Sequence, residues 1–221
     1  KLQKSLQELI KNKLTTVQRL ELSSDYITEG HALKGVLKAD MENIRSTMEK
    51  IDYNTFEDVV NNIFAAKRIY IIGLRSSMAL AEFLGFYLNI ILQNVKTVGY
   101  GISDIFEQMI NVGEGDLVIG IGFPRYASRT IDALAFAQDR GATVVAVTDS
   151  FLSPLAARAD YSLIAQSNMA SFVDSLVAPL SVINAFGMRE KENISSTFNS
   201  LEEIWREYNV YSYNNRNVGD D

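Results

Sequence analysis

Two short polar segments contain the residue types best suited to binding a small anion. In "GLRSS", residues 73–77, an arginine precedes two serines, and "GFPRYASRT", residues 122–130, brings together arginine, tyrosine, serine and threonine. Guanidinium groups form paired hydrogen bonds with phosphate and carboxylate oxygens, and hydroxyl groups add further donors. These two segments therefore predict the binding of a compact phosphate group on a small metabolite.

Each segment follows an apolar run and leads into a helical pattern. The first lies between "RIYIIG" and "ALAEFLGFYLNIIL", and the second lies between "DLVIG" and "IDALAFAQDRG". A helix begins with unpaired backbone N–H groups and the positive end of its dipole, and both attract anions. The position of the polar residues thus strengthens the prediction made from their types.

The apolar runs themselves predict a parallel sheet. Runs rich in Ile and Val cover residues 68–73, 95–100, 116–122, 142–149 and 161–166, and helical patterns between them cover 77–92, 103–111, 129–140 and 153–159. Continuous apolar runs are typical of strands buried on both faces, and their alternation with helices indicates a doubly wound α/β fold. For five strands we expect the flavodoxin-like order 2-1-3-4-5. Both polar segments then meet at the switch point between strands 1 and 3, where such folds bind ligands.

Helical extensions flank this predicted domain of residues 51–191. Residues 1–50 form a helical linker in our interpretation, with a basic first helix and a second stretch over 23–50 interrupted around Gly30 and Gly35. Asn54 and Glu57 resemble a capping box for the next helix. A helix over 171–191 would begin with Ser171 as its N-cap. Residues 192–221 comprise a last helix, over about 194–211, and a polar tail.

Composition excludes several classes of protein. The net charge is −6, and residues 51–221 carry twelve basic against twenty acidic side chains, so this part is not a nucleic-acid surface. The chain has no cysteine and one histidine, His31, which argues against disulfides and a histidine metal site. We expect a cytoplasmic protein with no membrane span, because no apolar run approaches ~20 residues. The loop after strand 1 lacks the dinucleotide glycines and the Gly-Lys of a nucleotide loop, so we predict no cofactor.

Four motifs together resemble a known family. They are "IIGLRSSMALA", "GIGFPRYASRT", "GATVVAVTDSFLSPLAARADYSL" and "SFVDSLVAPLSVINAFG". In this order they resemble the sugar isomerase (SIS) domain, in the form found in RpiR-type bacterial transcriptional regulators. The resemblance covers residues 50–190, and "LQKSLQELIKNKLTTVQRLE" is similar to the end of that family's DNA-binding domain and linker.

The resemblance implies a function and partners. In this family the SIS domain binds a phosphorylated sugar or related metabolite, forms dimers and changes how tightly the protein binds DNA. We therefore expect a homodimer or higher oligomer, and a helix-turn-helix domain encoded before Lys1 that contacts DNA. Two long apolar helical patterns, over 79–92 and 172–186, are consistent with a helical dimer interface.

The resemblance also assigns the binding residues. Ser77 matches the serine of the first loop that holds phosphate, with Ser76 beside it. The second loop of the family commonly reads Ser-x-Ser-Gly-x-Thr, and this chain departs from it at Gly122, Pro124, Arg125 and Ala127. We expect the Arg125 guanidinium to take the place of the missing hydroxyl donors. We expect the ring and hydroxyl of Tyr126 to face the sugar. The predicted contacts are Gly73, Arg75, Ser76, Ser77, Phe123, Arg125, Tyr126, Ser128, Thr130 and Ser171.

Purely structural interpretations of these residues stay open. Ser77 and Ser171 could only cap helices, Arg125 could pair with an acidic residue, Tyr126 could pack on the surface, and Arg75 could cover the sheet edge. Asp149, at the end of strand 4, is a lesser site residue.

Three functional classes follow, and a sensing domain is favoured. An aldose–ketose isomerase needs a positioned base, and the carboxylates nearest the cleft are Glu82, Glu107 and Asp174, of which Glu107 is the best placed. The third class is a structural dimerisation domain with an empty crevice.

Overall fold

A five-stranded parallel sheet forms the centre of the computed structural model, which describes residues 15, 17–18, 21, 32–169, 173–188 and 191–211. All neighbouring strands pair in parallel, in the order 2-1-3-4-5. This confirms the predicted fold class and strand order. The strands are β1 (Ile69–Gly73), β2 (Val95–Val98), β3 (Leu117–Ile121), β4 (Thr143–Thr148) and β5 (Tyr161–Ile164).

Seven α-helices accompany the sheet in the described part of the chain. Within that part, no helix combines the length and the apolar character that crossing a bilayer requires. The helices are α1 (Ala32–Lys50), α2 (Tyr53–Ala65), α3 (Met78–Ile91), α4 (Ile105–Gln108), α5 (Ser128–Asp139), α6 (Val177–Ala185) and α7 (Lys191–Glu207).

Side chains of alternating strand residues build two separate cores, one on each face of the sheet. Ile71 of β1 and Ile119 of β3 point to the face covered by α2, α3 and α6. Ile72 and Val118 point to the opposite face, against α4 and α5. Every residue of β1 and β3 is buried, as expected for central strands covered on both sides.

The register of the two central strands brings the predicted binding segments together. Gly73 at the end of β1 pairs with Ile121 at the end of β3. The chain therefore leaves the sheet at the same level on both strands. The two segments run side by side at the carboxyl edge, at the switch point of the fold.

Helix α1 packs on the domain in an unusual orientation. Its two buried residues are polar, Asn43 and Thr47. An apolar stripe of Leu33, Leu37 and Met41, followed by Ile44 and Met48, is exposed instead. The interruption predicted at Gly35 is wrong, since α1 runs unbroken through it, at a cost of about 1 kcal/mol for a glycine inside a helix. Gly30 and His31 lie outside the described residues.

The starts of two helices differ from the sequence prediction. Asp52, not Asn54, is the N-cap of α2: its carboxylate accepts hydrogen bonds from Asn54 N and Thr55 N, so the predicted box with Glu57 is wrong. The predicted helix over 171–191 begins only at Val177. There the hydroxyl of Ser175 accepts a hydrogen bond from Val177 N, two residues further on, which is a turn typical of serine.

Three other predicted helices are shorter or shifted. Residues 153–159 form only the 3₁₀ turn Ala156–Arg158, because the buried side chain of Leu155 and the Ser153 hydroxyl bonded to Ala156 N fix a compact loop. Helix α4 occupies four residues of the predicted 103–111, and the last helix spans 191–207 rather than 194–211. Residues 212–221 lie outside the described part.

The opposite, amino edge of the sheet is fixed by an ion pair. The guanidinium of Arg68 contacts the fully buried carboxylate of Asp116 at 2.8 Å, and Gly113 N donates to the same carboxylate. This arrangement raises the pKa of Arg68, mainly through the hydrogen bond with Asp116. Nearby, burial is the main cause that raises the pKa of the Tyr70 phenol.

Candidate anion-binding cleft at the switch point

Two helices begin at the cleft between β1 and β3. After β1, Leu74 leads into a 3₁₀ turn over Arg75–Ser77 and then directly into α3. After β3, a loop over residues 122–127 leads into α5 at Ser128. The N-terminal ends of α3 and α5 thus both lie at the carboxyl edge of the central strands, where their dipoles favour a negative charge.

An arginine in the left-handed backbone conformation stands in each of the two loops. Arg75 has a φ of 58° and Arg125 a φ of 64°. Only one other non-glycine residue in the described chain, Asn209, has a positive φ. This conformation is costly for a side chain with a Cβ, and such strain tends to concentrate at functional sites. In the family pattern quoted above, glycine stands where this chain has Arg125.

A small polar cavity of about 40 Å³ lies between the two loops. Such a volume exceeds the ~10–15 Å³ that a water needs, so the cavity has room for a few waters or one tetrahedral anion. Its wall includes both arginines together with Ser76, Ser77, Phe123, Pro124, Thr130 and Asp174.

Ser77 is buried in this wall and is not acting as a conventional cap. Its side chain is 4% exposed, and it occupies the N-cap position of α3 with helical backbone angles and no side-chain capping hydrogen bond. The purely structural interpretation of this serine as a cap therefore finds no support in the geometry.

Thr130 carries a buried polar atom with no hydrogen-bond partner in the described part of the chain. The residue is 1% exposed, and its Oγ1 is the one side-chain atom of this kind there. Buried hydroxyl groups are nearly always paired, and each exception calls for an explanation. Because Thr130 lines the small cavity, a ligand oxygen or a water held there would satisfy the group.

A wider cavity of about 400 Å³ adjoins the small one and shares Arg75 and Arg125 with it. Tyr126 and Ser128 also line it, as do Tyr100 and Arg129. The hydroxyl of Tyr126 donates a 2.8 Å hydrogen bond to the carboxylate of Asp149, while its ring packs against the second core. The hydrogen bond with Asp149 therefore holds the Tyr126 side chain in place in the wall of this cavity.

Arg129 is tied to the neighbouring helix. Its guanidinium contacts the Asp104 carboxylate at 2.7 Å and lies 5.3 Å from the centre of the Phe106 ring. Asp104 is the N-cap of α4. The contact joins the start of α5 to the start of α4 and fixes one wall of the wider cavity.

Gly73 is the one predicted contact in the described part of the chain that lines neither cavity. It lies in β1, and a Cβ there would stand 2.6 Å from the backbone oxygen of Ser77, so glycine permits the close approach of the turn that follows. Ser171 lies outside the described residues. The other eight predicted contacts, Arg75, Ser76, Ser77, Phe123, Arg125, Tyr126, Ser128 and Thr130, line one or both cavities.

The three carboxylates considered for catalysis lie in different surroundings, and one of them lines the cleft. Glu107 accepts a 3.0 Å hydrogen bond from Asp104 N in the capping box of α4, which occupies it structurally. Glu82 is exposed on α3. Asp174 does line the small cavity, as its expected position near the cleft had suggested. Over the described residues, no three His, Cys, Asp or Glu side chains gather as a metal site requires.

The fold and the cleft define a parallel α/β domain with a polar crevice at its switch point. The model of the SIS domain family matches residues 62–189, and the chain belongs to this family. The family resemblance seen in the sequence motifs is thereby confirmed.

Relatives and solved structures extend this assignment. An uncharacterized HTH-type transcriptional regulator of Haemophilus influenzae is 30% identical over 142 residues, covering 64% of this chain and 48% of that protein. The chain thus spans about half the length of this curated relative. The sugar isomerase domain of an RpiR transcription factor from Sphaerobacter thermophilus is 29% identical, with a TM-score of 0.74 over 78% of this chain and 99% of the other. The Vibrio vulnificus NanR protein complexed with ManNAc-6P shares the fold, with 18% identity and a TM-score of 0.69 over 91% and 78% of the two chains.

Proposed function

We propose that this chain is the ligand-sensing part of a transcriptional regulator and that it binds a phosphorylated sugar or a related metabolite in the switch-point cleft. The observation that carries the proposal is the pair of adjoining cavities that share Arg75 and Arg125. The small cavity suits a phosphate group, and the wider one has the size of a small metabolite site.

The chemistry of the small cavity supports a phosphate. Ser77 and Thr130 bring hydroxyl groups from the first turns of α3 and α5, where helix dipoles add positive potential. Arg75 and Arg125 supply guanidinium groups from the two loops. In the wider cavity the ring of Tyr126, the hydroxyl of Ser128 and Arg129 are placed to contact the body of the metabolite.

The regulatory role rests on the relatives. The regulator from Haemophilus influenzae is about twice as long as the matched region, and its name assigns it a helix-turn-helix. The solved structure of Vibrio vulnificus NanR is a complex with ManNAc-6P. In our proposal the DNA contacts come from a helix-turn-helix domain outside the part of the protein that the structure describes, the chains associate as homodimers or higher oligomers, and the protein works in the cytoplasm.

An isomerase is the second candidate, because one carboxylate, Asp174, lines the small cavity. A base at this place could remove a proton from a bound sugar phosphate. The other two carboxylates considered for this role are exposed or engaged in helix capping. This leaves sensing as the better supported function and makes Asp174→Asn the variant that would abolish turnover if the enzyme hypothesis were correct.

A thermal-shift screen tests the proposal. The panel comprises hexose and pentose phosphates, their N-acetylated and acid derivatives, ManNAc-6P and inorganic phosphate. A ligand at about 100 times its dissociation constant stabilises the folded protein by about 2.7 kcal/mol, which gives a measurable shift. Binding without turnover supports sensing, and turnover supports the isomerase. No shift with any compound would leave only the structural dimerisation domain.

A further inference from the structure

Helix α1 is held to the domain by hydrogen bonds at its buried face. Thr47 Oγ1 accepts a 2.8 Å bond from Gln166 N and donates to Asn43 O. The Asn43 side chain donates to Asn168 O at 2.8 Å and accepts from Asn168 N at 3.1 Å. The partner residues belong to the segment directly after β5. These directional bonds tie α1 to one short stretch of the chain, residues 166–168.

The same stretch reaches the cleft. The side-chain amide of Gln166 donates to Asp149 O at 3.2 Å, and the Asp149 carboxylate accepts the hydroxyl of Tyr126 at 2.8 Å. Tyr126 lines the wider cavity, whereas Thr47 belongs to α1. Two residues, Asp149 and Gln166, therefore connect Tyr126 in the cavity wall to Thr47 of the helix through hydrogen bonds.

A second connection runs through the residues before α6. The Ser175 hydroxyl donates a 2.6 Å hydrogen bond to the Asp40 carboxylate of α1. The preceding residue, Asp174, lines the small cavity. The cleft is therefore linked to α1 at two places along the helix, near Asp40 and near Thr47, and the two links run through different parts of the chain.

The surroundings of α1 leave it room to shift. A cavity of about 430 Å³ lies between α1, the start of α2 and α6, with Ile44 and Met48 in its wall. A single hydrogen bond adds little net stability, and elements with few buried apolar contacts open more readily than the core. Small changes at Gln166 or Ser175 can therefore change how α1 is held, without disturbing the sheet.

We propose that these two connections couple occupancy of the cleft to the position of α1, with Thr47, Asn43 and Gln166 as positioning residues. The coupling names the regulation of the proposed ligand site and so rests on the proposed function. Helix α1 begins at Ala32 and is therefore the described helix that lies next to the N-terminal segment in the sequence. Coupling is reciprocal: the ligand shifts the equilibrium between two positions of α1 by the same factor by which its affinity differs between them, so a substitution that shifts this equilibrium also changes the apparent affinity for the ligand.

The first test needs no ligand. Amide hydrogen exchange is measured in the whole chain for wild type and for Tyr126→Phe. The control is Tyr100→Phe, which removes a phenolic hydroxyl group from the wall of the same cavity. We expect Tyr126→Phe to speed exchange in the second half of α1 about fivefold or more, while exchange in α2 is unchanged. The coupling would be overturned if α1 exchanged at the wild-type rate in Tyr126→Phe. It would also be overturned if Tyr100→Phe sped exchange in α1 to the same extent.

The second test uses the positioning residues. Thr47→Val removes the hydroxyl with little change in shape, and Thr47→Ser keeps it. With the phosphosugar that gives the largest thermal shift as probe, and inorganic phosphate for comparison, Thr47→Val should change affinity about fivefold or more and Thr47→Ser should restore it. Thr55→Val, which removes a hydroxyl bonded to Asp52 at the start of α2, serves as the control.

The outcomes separate the two proposals. Unchanged affinity in Thr47→Val, with binding intact, contradicts the coupling and leaves the sensing function standing. Absence of binding by any phosphosugar contradicts the sensing function, and the ligand-free exchange experiment still decides whether the wall of the cleft and α1 are linked.

Discussion

Arg75 and Arg125 occupy equivalent places in the two central loops, each in the left-handed backbone conformation, with φ of 58° and 64°. Arg75 lies two residues beyond the end of β1, and Arg125 lies four residues beyond the end of β3. Both line the two adjoining cavities. The backbone of both loops therefore adopts a costly conformation at the two arginines that line the cleft. Several measurements test whether that shape serves binding.

Replacing Arg125 should separate backbone strain from charge. We expect Arg125→Gly to raise stability by up to about 1 kcal/mol, because glycine adopts positive φ freely although it costs entropy. The same change should weaken binding of a phosphorylated ligand at least tenfold, since a hydrogen bond to a charged group contributes about 1.5–3 kcal/mol. Arg125→Lys should recover part of the affinity. Urea unfolding and calorimetry measure the two effects, and unchanged affinity in all variants would place the ligand elsewhere.

Ser77 and Thr130 should respond differently when their hydroxyl groups are removed. Ser77→Ala should cost about 1.5–3 kcal/mol of ligand binding with little loss of stability, because the hydroxyl forms no capping bond. Thr130→Val should stabilise the free protein by about 1 kcal/mol, because it replaces an unpaired buried hydroxyl with a methyl group. It should also weaken binding. A loss of stability in Thr130→Val would show that the hydroxyl is paired in the free protein.

The proposed homodimer should be sensitive to the exposed aromatic face of α3. Phe86 and Tyr87 are 63% and 51% exposed there, and their rings pack edge to face with centroids 5.1 Å apart. Phe86→Glu should shift the mass measured by light scattering from dimer to monomer, because a buried charge at an interface is costly. Phe151→Glu changes an equally exposed phenylalanine in the loop after β4 and serves as the control. A monomeric wild type at micromolar concentration would contradict the dimer.

Stability should fall at alkaline pH through Tyr70. Burial raises the pKa of its phenol, so between its ordinary pKa and the raised folded value the folded state keeps a proton that the unfolded state has lost. Stability is therefore complete below the ordinary pKa of a tyrosine and declines as the pH rises through the folded pKa. Urea unfolding between pH 7 and about 11 measures the decline, and Tyr70→Phe should flatten it. An identical decline in the variant would assign it to other groups.

DNA binding by this chain should be weak or absent. Its net charge is −6, and its basic residues in positions 1–13 are too few for specific recognition. A gel-shift assay at physiological salt should show no discrete complex with any operator fragment. Tight, sequence-specific binding would mean that the chain itself contains the DNA-reading element.

The sequence alone determined the sheet and the region of its ligand site. Runs such as "RIYIIG" and "DLVIGIG" are apolar throughout because β1 and β3 are covered on both faces, and such runs fit a parallel sheet and little else. Strand order then followed from the general rule for five-stranded doubly wound sheets. Serine, arginine and threonine just beyond β1 and β3 located the cleft, because ligands bind at the carboxyl ends of such strands.

Only the tertiary structure decided which groups are strained, unpaired or already engaged. The positive φ of Arg75 and Arg125 results from the path of each loop between strand and helix, which local preferences do not encode for arginine. The isolation of Thr130 Oγ1 and the pairing of Tyr126 with Asp149 depend on packing between distant segments. The same is true of α1, whose apolar stripe suggests a core-facing helix although its polar side chains are the buried ones. Asn43 and Thr47 find partners 119 to 125 residues away, and hydrogen bonds over such separations leave no periodicity in the sequence.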